Sequence, residues 1–321
     1  MTTLGSRQAP AQRRRDPAPW DPAQAHRFVA GDGTALHVQS EGDEQAPLTL
    51  VLVHGWTQDL RTWDAVTSGL LRAAGAPLRI LRYDLRGHGA SAPARAGTAT
   101  IERLADDLAE LIADRAPRGR LVLVGHSMGG MTLMCLAERY PELVSARVDA
   151  VGLVATSSGD LDRVTLGLPG LFGGGAARVE QRITAFLRRQ QRDALPLAPR
   201  LVRPFARWLV FGNRPRRADV TSVAEQVVLA HPASVGGFRD SMAVHDRRVA
   251  LAALRDKPAV VLAGGKDRLC PPPHAMVLAD ELPQAEFVRF PGAGHMLPQE
   301  RSREVTERIT RLVRVAAGNR G

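Results

Sequence analysis

Cysteine and lysine are both scarce in this chain of 321 residues. Its two cysteines, Cys135 and Cys270, are too few for a disulfide framework or a cysteine-based metal site. No group of cysteines and histidines has zinc-ligand spacing, and no glycine-rich segment has a Walker or dinucleotide-binding pattern. We therefore expect a protein that needs neither a metal nor an organic cofactor.

Long hydrophobic runs are also missing. No apolar stretch approaches the roughly 20 residues that a helix needs to cross a bilayer. Residues 13–15 are arginines, but no apolar segment follows them as it would in a signal peptide. These features predict a cytoplasmic protein with no stable membrane insertion.

Aromatic residues make up only 4% of the chain, and its net charge of +10 comes almost entirely from arginine. Basic residues are not interleaved with stacking aromatics and match no nucleic-acid-binding module, so a nucleic-acid partner is not expected. Arginines outnumber acidic residues between positions 159 and 245. This excess leaves open attraction to anionic lipid surfaces or acidic substrates, or simply a solvated basic surface.

A Gly-x-Ser-x-Gly pentapeptide centred on Ser127 is the segment that most clearly indicates a catalytic site. An apolar run at residues 121–124 precedes it, and a helix-forming run at residues 131–140 follows. A strand, a tight turn and a helix in this order form a nucleophile elbow, which lifts the serine hydroxyl clear of the sheet. Gly125 and Gly129 fit this geometry because the turn leaves no room for side chains at those positions.

A serine nucleophile requires a base, and the base requires an acid that orients it. Asp267 follows a strand-like run at residues 258–263, and His295 follows a second one at residues 286–290. All three residues then fall at the carboxyl ends of strands, which share one edge of a parallel sheet. We interpret Ser127, Asp267 and His295 as a catalytic triad, and Asp280, on a predicted helix, as a weaker candidate for the acid.

Attack on an acyl carbonyl produces an oxyanion that needs hydrogen-bond donors. The elbow predicts the backbone N–H of Met128 as one donor, and the loop after strand residues 48–53 predicts that of Trp56 as the other. In this loop Gly55 would let the backbone turn inward, and His54 would organise the loop rather than act as a second base. We also place His54 and Gly55 beside the substrate pocket.

With these residues in place, the chain resembles the α/β-hydrolase superfamily, of the serine esterase/lipase type with a cap. The resemblance spans about residues 26–315 and includes residues 82–91, 264–267 and 292–295, which are similar to loops of this family. It implies a mostly parallel eight-stranded sheet with helices on both faces and an inserted helical cap. A serine at the elbow excludes members that use an aspartate there, such as haloalkane dehalogenases.

Periodicity along the chain agrees with this architecture. We interpret residues 1–24 as a disordered tail, residues 25–158 and 246–321 as the α/β core, and residues 159–245 as the cap. A hairpin at residues 26–40 opens the core, and strand-like and helix-like runs then alternate. In the predicted cap, Phe205 and Trp208 belong to an apolar helical stripe that either lines the substrate pocket or attaches the cap to the core.

These features predict a hydrolase that cleaves carboxylic esters of small molecules, with an apolar acyl group, through an acyl-enzyme intermediate. Thioesterase, lactonase, perhydrolase or haloperoxidase, and C–C bond hydrolase activities use the same triad and stay open. A binding protein that keeps the fold without turnover is a more remote alternative. The sequence carries no readable code for acyl chain length or oligomeric state.

Overall fold

The computed structural model describes residues 26–73, 77–161, 182, 184–190, 192–195 and 197–318. The tail predicted for residues 1–24 lies outside them, as does part of the predicted cap. Within these ranges, no helix combines the length and the apolar character needed to span a bilayer.

One sheet of eight strands organises the chain, in the spatial order β1-β2-β4-β3-β5-β6-β7-β8. Strand β2 pairs antiparallel with both of its neighbours, and all the other pairs are parallel. The strands are β1 (Arg27–Val29), β2 (Ala35–Gly42), β3 (Leu48–Val53), β4 (Arg79–Tyr83), β5 (Arg120–His126), β6 (Val148–Val154), β7 (Ala259–Gly264) and β8 (Glu286–Phe290). The predicted mostly parallel sheet and the predicted hairpin are confirmed.

The central strands are mostly apolar because helices cover both faces of the sheet. Every residue of β3 and β7 is buried. Edge strand β8 instead alternates between half-buried and exposed residues. The continuous apolar runs in the sequence therefore mark the centre of the sheet.

Helices follow the strands as the periodicity predicts. They are Asp64–Ala73, Ile101–Arg115, Met128–Arg139, Pro141–Arg147, Pro199–Val210, Arg217–Leu229, Pro232–Ala243, Pro272–Glu281, Leu297–Glu300 and Ser302–Gly318, with 3-10 turns at Leu60–Trp63 and Val249–Leu254. Three of the α-helices were not predicted, and one of them, Leu297–Glu300, is a single turn. Pro141–Arg147 is too short to show a period, and Pro232–Ala243 contains Gly236 and Gly237, which disfavour a helix.

Two apolar cores sandwich the sheet. Helices Ile101–Arg115 and Met128–Arg139 pack on one face, and Asp64–Ala73 and Ser302–Gly318 pack on the other. The apolar stripe of the first of these helices is buried, as Leu104, Leu108 and Leu111 show. Helices on both faces of the sheet are thus confirmed.

A buried ion-pair network holds the loop that follows β4. The fully buried guanidinium of Arg86 donates to both carboxylate oxygens of Asp107 at 2.6 Å and to Asp32 at 2.8 Å. Burying a charge is tolerated only when it is paired and hydrogen-bonded in this way. The network therefore fixes the path of the loop, which includes His88.

Helices between positions 199 and 243 lie against the loops at the carboxyl edge of the sheet. Gln226 Oε1 accepts from the backbone N–H of Asp59 at 3.1 Å, and the Trp56 indole N–H donates to the carbonyl of Val235 at 3.0 Å. The backbone N–H of His231 donates to the carbonyl of Gly87 at 2.9 Å. These contacts place the helices over the loops after β3 and β4, although the domain limits given above stay a prediction.

Candidate active site

Ser127 lies in the turn between β5 and the helix Met128–Arg139. Its φ of 52° and ψ of −120° are unfavourable for any residue other than glycine. The surrounding structure must therefore hold the Ser127 backbone in this conformation. Its N–H donates to the carbonyl of Val154 at 2.9 Å, and its own carbonyl accepts from Thr156 Oγ1 at 2.7 Å. The turn is therefore attached to the end of the neighbouring strand β6.

Gly125 and Gly129 sit where the turn is most crowded. A Cβ on Gly125 would lie within 3.0 Å of the backbone of Gly129. A Cβ on Gly129 would lie within 3.0 Å of the carbonyl oxygens of Val53 and His54. Strand, helix and the loop after β3 meet here through their backbones, so only glycine fits.

Asp267 and His295 form a direct hydrogen bond. The imidazole Nδ1 lies 2.7 Å from Asp267 Oδ2. The other carboxylate oxygen accepts the backbone N–H groups of Leu269 and Cys270, each at 2.8 Å. Because an ionised carboxylate can only accept, the proton belongs on Nδ1, and Nε2 is left free to accept one.

The loops that carry these two residues are bonded to each other. The N–H of Gly265 donates to the carbonyl of Phe290, and that of Lys266 to the carbonyl of Ala293, each at 2.8 Å. A Cβ on Gly264 would lie within 3.0 Å of the carbonyl of Gly294. Acid and imidazole are thus positioned as one unit at the ends of β7 and β8.

His126 joins this unit to the serine turn. Its Nε2 donates to the carbonyl of His295 at 2.9 Å, and the two rings are 4.9 Å apart. Burial, with a contribution from His295, lowers the pKa of His126 to about 3, so the ring is neutral. The chain neighbour of Ser127 therefore contacts His295, although no hydrogen bond joins the serine hydroxyl to that imidazole within the described residues.

The loop after β3 lies directly on the serine turn. A Cβ on Gly55 would be 3.0 Å from Cβ of Ser127 and 2.9 Å from Nδ1 of His126. The backbone N–H of Trp56 makes no hydrogen bond with any described residue. The N–H of Met128 opens a helix, where the first N–H groups have no intrahelical acceptor.

Two buried histidines shape this loop and offer no free ring nitrogen. His54 Nδ1 donates to the carbonyl of Gly55 at 2.8 Å, and Nε2 accepts from the N–H of Leu85 at 2.9 Å. His88 Nε2 accepts from the N–H of Thr57 at 3.1 Å. Burial lowers the pKa of His54, and burial together with His54 lowers that of His88 to about 3. His54 thus organises the loop through both ring nitrogens, and the pocket role of His54 and Gly55 stays a prediction.

Phe205 and Trp208 lie on the helix Pro199–Val210 with their rings 5.9 Å apart. They are 57% and 39% exposed, respectively. Phe211, directly after this helix, is instead buried in an apolar cluster with Met296, the residue after His295. Attachment to the core is thus visible for Phe211, and the pocket role of Phe205 and Trp208 stays a prediction.

Sequence patterns do not reveal Glu300, which bonds to the histidine loop. Its carboxylate oxygens accept the N–H groups of Gly212 at 2.8 Å and Gly294 at 2.9 Å. Burial raises its pKa, and these two N–H groups offset part of that rise. Glu300 belongs to no motif, whereas His88 lies in a segment that already resembled the family.

Metal ligands are not grouped here: within the described ranges no cluster of three or more His, Cys, Asp or Glu side chains could hold an ion. The arrangement instead joins a buried serine in a strained turn, an imidazole–carboxylate pair and backbone N–H groups that find no acceptor among the described residues. Such a set can support acyl transfer through nucleophile, base and oxyanion donors.

Several proteins that are similar to this chain have the same fold, and some of them are esterases. The chain is 33% identical over 252 residues to a pimeloyl-[acyl-carrier protein] methyl ester esterase from Aromatoleum aromaticum, covering 77% of this chain and 90% of that protein. It is 29% identical over 273 residues to the dihydrolipoyllysine-residue acetyltransferase component of an acetoin cleaving system from Pseudomonas putida. That match covers 83% of this chain but spans only 63% of the relative's length.

Among solved structures, a thermophilic esterase from Thermogutta terrifontis superposes with a TM-score of 0.72 at 26% identity. The superposition covers 90% of this chain and 98% of the esterase. A family model described as alpha/beta hydrolase fold matches residues 49–301. The chain therefore belongs to the alpha/beta hydrolase fold family.

Proposed function

We propose that this protein is a serine hydrolase that cleaves carboxylic esters, with Ser127 as nucleophile, His295 as base and Asp267 as the orienting acid. The single observation that carries the proposal is the 2.7 Å hydrogen bond between Asp267 and His295, at the sheet edge where the strained Ser127 turn also lies. The esterase relatives favour an ester bond as the target.

In the first half-reaction, His295 Nε2 takes the Ser127 proton as the hydroxyl oxygen bonds to the acyl carbon. The carbonyl oxygen becomes an oxyanion, held by the N–H groups of Met128 and Trp56. Asp267 stabilises the imidazolium that forms. The C–O bond to the alcohol then breaks, and His295 returns its proton to the departing oxygen.

In the second half-reaction, water replaces the alcohol. His295 removes a proton from water as its oxygen attacks the acyl-enzyme, and the same N–H groups hold the second oxyanion. The ester bond to Ser127 breaks, the acid leaves, and His295 restores the serine hydroxyl. Each N–H donor is worth about 3 kcal/mol of barrier lowering.

Covalent labelling tests the nucleophile directly. The protein is incubated with a fluorophosphonate probe, and the labelled peptide is identified by mass spectrometry. We expect one label per chain, on Ser127, and hydrolysis of p-nitrophenyl esters that stops as the label forms. A series of these esters with increasing acyl length then shows which chain length is preferred.

Ser157 provides a matched control. It is a buried serine whose hydroxyl lies 2.8 Å from Nδ1 of His274, outside the proposed triad. Ser127→Ala is expected to lower kcat about 10⁴-fold or more and to abolish labelling, whereas Ser157→Ala should keep both. Ester hydrolysis close to normal in Ser127→Ala would refute the proposal.

A further inference from the structure

The helix Pro199–Val210 presents an apolar ridge to solvent. Leu201, Phe205 and Trp208 follow one another at helical spacing, so they project from one side of the helix. Leu201 is 65% exposed, more than either aromatic ring. Large apolar side chains grouped on a surface usually mark an interaction site.

Cations flank this ridge. Arg200 and Arg207 are exposed on the same helix, seven residues apart, and no described residue forms an ion pair with either. No acidic residue lies between Asp193 and Asp219 in the sequence. The arginines of that stretch are Arg200, Arg203, Arg207, Arg214, Arg216 and Arg217.

A further arginine, Arg268, contacts Trp208 at the end of the ridge. The guanidinium of Arg268 lies 5.5 Å from the centre of the Trp208 ring and donates to the Trp208 carbonyl at 2.6 Å. The other side of the helix is attached to the core through buried Ala206 and Phe211. The ridge is therefore preformed, and binding through it requires little additional ordering.

We propose that this ridge, formed by Leu201, Phe205, Trp208 and the flanking Arg200 and Arg207, docks the protein on the surface of an anionic lipid bilayer. Helices that lie in a membrane interface combine Leu, Phe or Trp on one side with Lys or Arg beside them. The apolar side chains would enter the boundary between headgroups and acyl chains, and the arginines would contact lipid phosphates.

Charge favours this occupant over a second copy of the chain. A twofold dimer through the ridge would bring the exposed Arg200 and Arg207 of both copies together, with no acidic residue between Asp193 and Asp219 to neutralise them. An anionic membrane supplies the missing negative charge and an apolar layer at once. An acidic protein would also supply negative charge, but charge pairing alone does not explain why Leu, Phe and Trp side chains project from this helix.

Vesicle co-sedimentation of the full chain tests the proposal. Vesicles of equal parts phosphatidylglycerol and phosphatidylcholine are compared with vesicles of phosphatidylcholine alone at low ionic strength. We expect binding to the anionic vesicles, with a blue shift of tryptophan fluorescence that is absent in Trp208→Phe. About 1 M NaCl, where the Debye length is about 3 Å, should release most of the protein.

Paired variants separate the two contributions. Arg200→Gln with Arg207→Gln should weaken binding about tenfold or more, because each arginine near an anionic surface contributes severalfold. Phe205→Ser with Trp208→Ser should weaken it at least as much, since the apolar anchors are lost. All four side chains project from the surface, so circular dichroism and Tm should stay close to those of the unmodified protein.

Matched controls carry the same chemical changes elsewhere. Val244 and Val249 are 80% and 89% exposed, and Val244→Ser with Val249→Ser should bind as the unmodified protein does. Arg303→Gln with Arg311→Gln removes the same charge from the last helix and should have a much smaller effect. Ser127→Ala should also bind normally, so docking and the proposed catalysis can fail independently.

Several results would overturn the proposal. They are no binding to anionic vesicles, equal binding to neutral vesicles, or ridge variants that bind as the controls do. A dimer in analytical ultracentrifugation that the ridge variants dissociate would assign this surface to a second copy instead.

Discussion

The backbone N–H of His295 donates to the carbonyl of Val210 at 2.8 Å, and the adjacent N–H of Met296 shares the same acceptor at 3.2 Å. The last residue of the helix Pro199–Val210 is thus bonded to the proposed base. Gly212 and Gly294 strengthen the junction because their backbones touch, and Glu300 accepts an N–H from each of them. The position of the imidazole depends on a helix that precedes it by about 85 residues.

Removing the Glu300 carboxylate should loosen this junction. Glu300→Ala leaves the N–H groups of Gly212 and Gly294 without acceptors, so we expect the free energy of unfolding to fall by about 2 kcal/mol. A small displacement of His295 that raises the barrier by about 1.4 kcal/mol would cut kcat tenfold. Denaturant unfolding and ester kinetics measure the two effects, with Glu304→Ala as control. Unchanged kcat would show that the junction does not position the imidazole.

The acid of the proposed triad can be tested without changing its shape. Asp267→Asn removes the charge that stabilises the imidazolium, and we expect kcat to fall by about 10³-fold to 10⁴-fold. KM should change little because Asp267 does not contact the substrate. Asp280→Asn is the matched control, since Asp280 was the alternative acid and is exposed on the helix Pro272–Glu281. A larger loss in the Asp280 variant would reverse the assignment.

Because the serine turn is crowded, adding one methyl group at Gly129 should destabilise the protein strongly. A Cβ at Gly129 would meet the backbone oxygens of Val53 and His54, which cannot move without disturbing β3. We expect Gly129→Ala to lower the free energy of unfolding by about 3 kcal/mol or more, as overpacking against backbone does. Gly318→Ala, with nothing within 4 Å of its added methyl, should leave Tm nearly unchanged. Thermal unfolding of both variants gives the comparison.

The contact between His37 and Asp84 should make the free energy of unfolding depend on pH. Its Nδ1 lies 2.8 Å from Asp84 Oδ2, and this hydrogen bond raises the pKa of His37 above its usual 6.5 despite partial burial. The folded state therefore binds the proton more tightly than the unfolded state. This stabilisation is complete below the unfolded pKa and is lost as the pH rises through the folded pKa.

Denaturant unfolding between pH 6 and pH 9 measures this effect. The free energy of unfolding should decline more in the unmodified protein than in His37→Gln across that range. His26→Gln, on the same edge of the sheet, is the control. Parallel curves for the unmodified protein and His37→Gln would contradict the role of the Asp84 contact.

Most of the sheet could be predicted because its signals are local. Strand β3 has the predicted bounds, since a continuous apolar run depends only on consecutive residues. Glycine spacing around Ser127 likewise predicted a tight turn, and Ser127 has a positive φ there. Helix Pro232–Ala243 was not predicted because its two central glycines lower the helix propensity of the segment. Tertiary contacts stabilise this helix instead.

The sequence alone determined the fold and the candidates Ser127, Asp267 and His295, because their loops carry recognisable patterns after buried strands. Only the tertiary structure showed that His126 binds the carbonyl of His295 and that His88 holds Thr57. These contacts join residues distant in the chain, and a buried hydrogen bond depends on where two polar atoms meet rather than on any spacing in the sequence.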